Sequence, residues 1–180
     1  MKILILLPLL IFSKNVRANC FNFKGKWAKC TVDTPRLNYV QGKLLNSYLK
    51  AYNLDITSLG ENTLRFLGTY KPFLSRRKTV HDNIVEFNKK ITFLWEDLPD
   101  GRRGPMLDTY SVCENNVIYE DITWVNLNNS TYSQEYVDSN DKYFKSEYFI
   151  SENYLHRVIE SKKNKEDEFK YLGTLSCQKN

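Results

Sequence analysis

The sequence predicts an all-β protein, an antiparallel up-and-down meander closed into a barrel. From residue 53 onward, runs rich in β-branched and aromatic residues alternate with breaks of Asn, Asp, Gly and Ser. Several runs place apolar residues at every second position, which is typical of a sheet with one buried face. Because the connections are short, successive strands should be neighbours. We expect about nine or ten strands, with the last strand pairing with the first.

The first 18 residues have the pattern of a secretory signal peptide. Lys2 precedes an apolar run over residues 3–12, and Val16 and Ala18 put small residues where a signal peptidase reads them. The apolar run is shorter than the ~20 residues that a membrane-spanning helix needs. We therefore expect export to the periplasm or the extracellular space, with no membrane span and a soluble chain once the leader is removed.

The predicted mature chain, residues 19–180, is expected to form a single β-barrel domain with little net charge. The whole chain has 26 basic and 21 acidic residues. The leader contains Lys2, Lys14 and Arg17 and no acidic residue, so 23 basic residues remain against the same 21 acidic ones. Such a balance lacks the basic footprint of a nucleic-acid-binding protein. The competing interpretation of the leader is lipidation at Cys20.

The four cysteines all follow the leader, and an even number in an exported chain predicts two disulfides. If residues 25–31 form a strand, Cys20 and Cys30 lie too far apart to pair with each other. In a closed barrel the end of the last strand lies near the start of the first. We therefore favour Cys20–Cys177 and Cys30–Cys113 among the three possible connectivities.

The expected strands after the first cover residues 54–59, 63–70, 80–87, 91–96, 107–113, 117–125, 131–137, 143–150, 154–160 and 169–178. Three sets of residues should each share a face: Ile91, Phe93 and Trp95; Ile118, Ile122 and Trp124; and Phe169, Tyr171, Leu175 and Cys177.

One segment, residues 37–52, breaks the strand pattern. Its apolar residues fall at helical spacing: Leu37, Val40, Leu44, Leu45, Tyr48, Leu49 and Tyr52. Thr34 as N-cap and Pro35 in the first turn would start an amphipathic helix there. Gly42 would cost that helix about 1 kcal/mol relative to alanine. The alternative is one or two further strands with a turn at Gln41 and Gly42.

The sequence predicts no catalytic residue, no metal site and no cofactor. His81 and His156 have no histidine or cysteine at ligand spacing, and no G-x-S-x-G, phosphate loop or H-E-x-x-H occurs. Glu120 and Asp121 are adjacent, so alternation should point them to opposite faces of a strand. They are therefore not expected to form a paired acid and base.

Two basic clusters and one pair of glycosylation acceptors are expected in loops. The clusters are Arg76, Arg77 and Lys78, and Arg102 and Arg103. They are interpreted as solvated charges, with an anionic headgroup as the alternative partner. Asn128 and Asn129 each begin an N-x-[ST] acceptor, which matters if the source glycosylates its proteins.

The abundant aromatic residues are the main functional signal. A barrel of eight strands leaves room for one small ligand, and more strands leave more. The candidates for a cavity wall are Phe66, Phe87, Phe93, Trp95, Trp124, Tyr136 and Phe149. The alternative is that these side chains pack against each other and fill the barrel.

The stretch Phe23-x-Gly25-x-Trp27, at the start of a predicted exported meander, resembles the first strand of the calycins, which include the lipocalins and the fatty-acid-binding-like proteins. The resemblance implies that Gly25 allows close backbone approach and that Trp27, with Phe23, closes the base of the barrel. Export and disulfides resemble lipocalins, whereas a helix after the first strand resembles the fatty-acid-binding branch, where helices lid the barrel. The arginine that packs on the tryptophan in lipocalins has its nearest candidate in Arg157, one strand too early.

The arrangement C-x-x-F-x-G-x-W-x-x-C also resembles small exported proteins of unknown function from Gram-negative bacteria. The sequence thus leads to a first hypothesis of an exported barrel that binds a small apolar or amphipathic molecule without transforming it, with residues 37–52 capping its mouth. The alternative is a structural or protein-binding envelope module with a filled barrel.

Overall fold

Ten strands and one α-helix form the framework of the computed structural model, which describes residues 20–70, 78–94, 104–129 and 140–180. The helix is α1 (Tyr39–Leu49). The strands are β1 (Gly25–Asp33), β2 (Tyr52–Gly60), β3 (Thr63–Tyr70), β4 (Lys78–Glu86), β5 (Lys90–Leu94), β6 (Met106–Glu114), β7 (Val117–Val125), β8 (Tyr143–Ser151), β9 (Tyr154–Lys162) and β10 (Lys170–Lys179).

The strands form one antiparallel sheet in the order β4-β3-β2-β1-β10-β9-β8-β7-β6-β5. The last strand pairs with the first, with Val32 opposite Leu175, as the sequence predicts. The sheet is therefore a meander nearly closed into a barrel, and its two edge strands are β4 and β5. Beyond the end of β4, the Phe87 N–H donates to the carbonyl of Asn62 (2.9 Å) and the Asn88 N–H to that of Ser111 (2.8 Å). These bonds tie the segment after β4 to the β2–β3 turn and to β6.

The base of the barrel is filled by fully buried side chains. They are Phe23, Trp27, Ile56, Leu64 and Ile118. Burial of such large apolar groups stabilises the fold by about 1.5–3 kcal/mol for each aliphatic or Phe side chain. The indole N–H of Trp27 donates to the carbonyl of Phe23 (3.0 Å), so its polar atom is satisfied.

Two details of the base differ from what the calycin resemblance implies. A Cβ on Gly25 would meet only Lys179 Cε, at an ordinary 3.7 Å, so close approach is not its role. Its φ of 142° is one that other residues rarely adopt, and this conformation is what favours glycine. The cation over the Trp27 ring is the ammonium group of Lys179, 5.7 Å from the ring centre, rather than Arg157.

The disulfides are Cys20–Cys113 and Cys30–Cys177, so the favoured pairing is wrong. Ala28 is opposite Gln178 and Thr31 is opposite Ser176, which sets Cys30 beside Cys177 across the seam. Cys20 lies in a short 3₁₀ turn before β1 and reaches β6 rather than β10. The expectation that Cys20 and Cys30 do not pair with each other is confirmed. The disulfide also occupies the Cys20 sulfur that lipidation would require.

The predicted helix forms, but it starts later than expected. The N-cap is Asn38, whose side chain accepts from the Gln41 N–H (3.0 Å) while the Gln41 side chain accepts from the Asn38 N–H (3.1 Å). Thr34 instead donates to the carbonyl of Leu172 (2.5 Å), which ties the segment to the last strand. Asn46 bonds both backbone groups of Val32 and holds the helix against β1.

Several expectations fall outside the described residues: the leader, the strand over residues 131–137, and the basic loops except for Lys78.

Within β10 a register shift between Tyr171 and Gly173 interrupts the alternation. Tyr171 is consequently exposed instead of sharing the inner face with Leu175 and Cys177. Among the described residues, no helix combines the length and the apolar composition that a membrane span requires.

Candidate ligand-binding cavity

Above the filled base, the barrel contains a cavity of about 430 Å³. Its lining is mainly apolar and includes Leu54, Phe66, Phe93, Leu107, Ile122 and Leu155. The rings of Phe66 on β3 and Tyr148 on β8 meet across the barrel, with centroids 5.6 Å apart. Cavities that hold small molecules typically measure about 300–1,000 Å³ and combine apolar walls with a few polar groups.

A polar cluster enters this lining from three adjacent strands. On β7 the inner face carries Ile118, Glu120 and Ile122, so strand alternation places a carboxylate between two apolar side chains. Ile118 is opposite Tyr148 of β8, which in turn is opposite Arg157 of β9. The register therefore brings Glu120, Tyr148 and Arg157 together inside the barrel.

Within the cluster the two charges are paired. Arg157 Nη2 lies 3.2 Å from Glu120 Oε2, and the Tyr148 hydroxyl donates to the same oxygen (3.0 Å). Arg157 also donates from Nε and Nη2 to Ser146 Oγ (3.2 and 3.1 Å), and its guanidinium lies 4.9 Å from the centre of the Tyr148 ring. Burying a charge is costly unless it is paired and hydrogen-bonded. These contacts meet that condition.

Burial changes the titration of this cluster. It raises the pKa of the Tyr148 hydroxyl well above its ordinary value, and the nearby charge of Arg157 only partly offsets the effect. Burial also opposes the charge of Arg157, but Tyr148 and Glu120 outweigh it and raise the pKa of the guanidinium. At neutral pH, Tyr148 is therefore a neutral donor and Arg157 a cation.

A second polar pair lines the cavity on the opposite side of the barrel. The Tyr52 hydroxyl on β2 lies 2.9 Å from His81 Nδ1 on β4, and the two side chains meet over Gly68 of the intervening strand β3. A Cβ on Gly68 would lie 2.2 Å from both the Tyr52 oxygen and the His81 ring. The absence of a side chain at Gly68 makes this contact possible.

Burial again controls the protonation of the pair. It raises the pKa of Tyr52 to about 12, against an opposing effect of the Arg157 charge. It lowers the pKa of His81, and Arg157 lowers it further, while Asp82 acts in the opposite direction. Both side chains are therefore neutral at neutral pH and present hydrogen-bonding groups without charge.

Of the predicted wall residues, the structure places Phe66 and Phe93 in the cavity lining. Phe87 is buried within the core instead. Trp124 is half-buried on β7 and is not among the described residues that line the cavity.

Phe149 is the one described candidate on the wrong face. It stacks on His156, with ring centroids 5.0 Å apart, and His156 bonds Ser176 on the outside of the barrel. Trp95 and Tyr136 lie outside the described residues.

The polar lining residues were missed as functional residues, although the alternation held a signal. Glu120 lies two residues from both Ile118 and Ile122, which were expected to share a face, and it is 97% buried while its neighbour Asp121 is exposed. The expectation that these two acids point to opposite faces is confirmed. What the sequence did not indicate is the register that sets Arg157 beside Glu120.

The helix does not line the cavity. Tyr39, Val40 and Leu44 of α1 are exposed, and the helix has no fully buried residue. Tyr48 stacks on Tyr70 at the end of β3, with centroids 4.2 Å apart. Of residues 37–52, which were expected to cap the mouth, the described cavity lining includes only Tyr52, and Tyr52 belongs to β2.

The strand order, the closure of β1 on β10 and the helix after the first strand define a calycin-like β-barrel. The sequence matches no protein-family model and no curated protein.

Three solved structures are among those similar to the chain. Fatty-acid-binding protein 1 of Echinococcus granulosus is 16% identical over 87% of this chain and 96% of its own, with a TM-score of 0.48. Secretory abundant heat soluble protein 4 of Ramazzottius varieornatus is 13% identical over 87% and 94%, with a TM-score of 0.49. Lipid binding protein 8 of Caenorhabditis elegans is 12% identical over 91% and 99%, with a TM-score of 0.48. All three TM-scores lie below 0.5, so none of these structures assigns a function to the chain.

Gly68→Ala should destabilise the protein by about 1–3 kcal/mol, because its Cβ would collide with both Tyr52 and His81. Gly42→Ala is the matched control. A Cβ at Gly42 meets nothing within 4 Å, so this helical substitution should stabilise by up to about 1 kcal/mol. Urea unfolding midpoints measure both changes, and equal effects of the two substitutions would contradict the account of the Tyr52–His81 contact.

Stability should fall as the pH drops through about 6.5, the ordinary pKa of histidine. His81 takes up a proton in the unfolded chain at that pH but only at a lower pH in the folded protein, so acid favours unfolding. Urea midpoints at about pH 7.5 and about pH 5.5 measure the loss. The loss of stability on acidification should be smaller in His81→Gln and unchanged in His156→Gln. A loss unchanged in His81→Gln would show that another group is responsible.

Proposed function

We propose that this protein is an exported carrier that holds one small apolar or amphipathic molecule inside its barrel and does not transform it. The observation that carries the proposal is the cavity of about 430 Å³, with its apolar walls and two clusters of polar groups. This combination is typical of sites that bind a small molecule and fix its orientation.

The alternative, a structural module with a filled barrel, is less consistent with the packing. The aromatic residues Phe23 and Trp27 do fill the base. Above them, however, the barrel keeps an open space that is lined by Phe66 and by polar side chains of β7, β8 and β9. A barrel selected only for stability would fill that space with apolar side chains, because empty volume is destabilising.

Export is supported by two independent features. The leader pattern over residues 1–18 is typical of a signal peptide. All four cysteines of the chain are joined in the two disulfides, and such bonds persist in oxidising compartments. The proposed location is the periplasm or the extracellular space.

The proposal predicts that the disulfide-bonded protein binds the neutral apolar dye Nile red at one site per chain, with a blue shift in its emission. Leu107→Trp should weaken this binding at least about tenfold, because the larger ring fills the cavity. Tyr119→Trp adds an indole on the exposed face of β7 and should bind as the native protein does.

Fluorescence titration measures the affinities, and urea unfolding checks that each variant is folded. Absence of dye binding to the native protein would overturn the proposal. So would equal binding by a folded Leu107→Trp variant, because the dye would then occupy another site.

A further inference from the structure

We propose that the cavity selects uncharged amphiphiles whose polar head both donates and accepts hydrogen bonds, such as long-chain amides or alcohols, over ionised long-chain carboxylates. This inference rests on the proposed function and assigns it a class of ligand. The contacts of Arg157 and Glu120 carry it.

The charge balance of the cavity lining disfavours an ionised ligand. Among the described residues that line the cavity, the ionisable side chains are Tyr52, His81, Glu120, Tyr148 and Arg157. Both tyrosines are neutral at neutral pH, and burial raises the pKa of each further above its ordinary value. Burial lowers the pKa of His81, so this side chain is neutral as well. The remaining two are the cation and the anion of one ion pair. The described wall therefore carries no net charge for an ionised ligand to neutralise.

The cation of the lining, Arg157, already has a carboxylate partner. An arginine in an apolar cavity attracts a carboxylate when its own charge is unpaired. Here Glu120 already supplies that carboxylate, with 3% of its side chain exposed. A ligand carboxylate that approached Arg157 would also approach Glu120, and two like charges close together in an enclosed site repel each other strongly. An ionised head would have to displace Glu120 or remain unpaired.

The ion pair of Arg157 and Glu120 also offers hydrogen-bonding groups to a ligand. In the described part of the chain, the contacts of Arg157 use Nε and Nη2, and those of Glu120 use Oε2. The Nη1 group is left as a donor, and Glu120 Oε1 is left as an acceptor. Glu120 has only 3% of its side chain exposed, and a buried acceptor without a partner is costly, so a ligand head that donates to Oε1 would be favoured. The Arg157 side chain is 30% exposed, and its Nη1 group can donate to an acceptor of the same head.

The size and walls of the cavity agree with such a ligand. An unbranched alkyl chain would contact the apolar residues Phe66, Phe93, Leu107 and Ile122, while the head reaches the polar cluster. Tyr52 and His81 add further neutral groups on the far side of the barrel. Among ligands with the same alkyl chain, selection then depends on the charge of the head group.

The test is competition against bound Nile red by dodecanamide, dodecanol and dodecanoate at pH about 8, where the last is fully ionised. All three have the same alkyl chain and differ in the head. We expect the amide and the alcohol to bind at least about tenfold more tightly than the carboxylate. This comparison uses the native disulfide-bonded protein and depends on no variant.

Two substitutions then locate the selectivity. Glu120→Gln removes the competing carboxylate and leaves Arg157 unpaired, so the affinity for dodecanoate should rise at least about tenfold and the preference should narrow or reverse. Glu147→Gln removes an acid from the exposed face of β8 and should leave the selectivity unchanged. If the selectivity depended only on the net charge of the protein, the two substitutions would change it equally.

The outcomes separate the two proposals. If the native protein binds dodecanoate as tightly as dodecanamide or more tightly, the inference is wrong while the carrier function stands. A folded Glu120→Gln variant with unchanged selectivity would also overturn the inference, because the ion pair would not be its cause. If the dye binds but none of the three compounds displaces it, the inference is wrong while the carrier function stands. If the dye itself does not bind, the carrier function fails as well.

Discussion

Pairing of β1 with β10 gives the sheet an inside, and every feature of the cavity depends on it. The seam is held by backbone bonds, by Cys30–Cys177 across the two strands, and by Trp27, whose ring is covered by Lys179. Because the cross-link joins positions 147 residues apart, it constrains nearly the whole described chain. Without this seam the inner faces of β2, β3, β7, β8 and β9 would not face a common space.

Inside that space, packing and polarity divide the barrel into two parts. The base is a close-packed core, and the upper part retains a volume that no side chain fills. The ion pair of Glu120 and Arg157 lies in this upper part, where replacement by apolar residues of similar size would often be neutral or stabilising. A pair that stability alone does not require, placed in a ligand-sized cavity, is consistent with a role in recognition.

The period-two alternation was enough to predict the meander and its closure. It also placed Glu120 and Asp121 on opposite faces of a strand, but it did not show which of the two faces the inside. The partner of Glu120 was not predictable, because Arg157 reaches it through a register across two strand pairs that no local pattern specifies. Tyr171 was assigned to the wrong face because a bulge in β10 shifts the alternation by one residue. The helix start was a recognisable signal that was missed, since Asn38 and Gln41 form a capping box.

We propose that the upper barrel holds one uncharged amphiphile. The decisive measurement is native mass spectrometry of the protein purified under non-denaturing conditions from its own source. Any molecule released by solvent extraction is then identified. We expect one added mass per protein chain, which is lost on denaturation and belongs to a molecule with an apolar tail and an un-ionised polar head. The mass of the protein alone, or a released long-chain carboxylate, would contradict it.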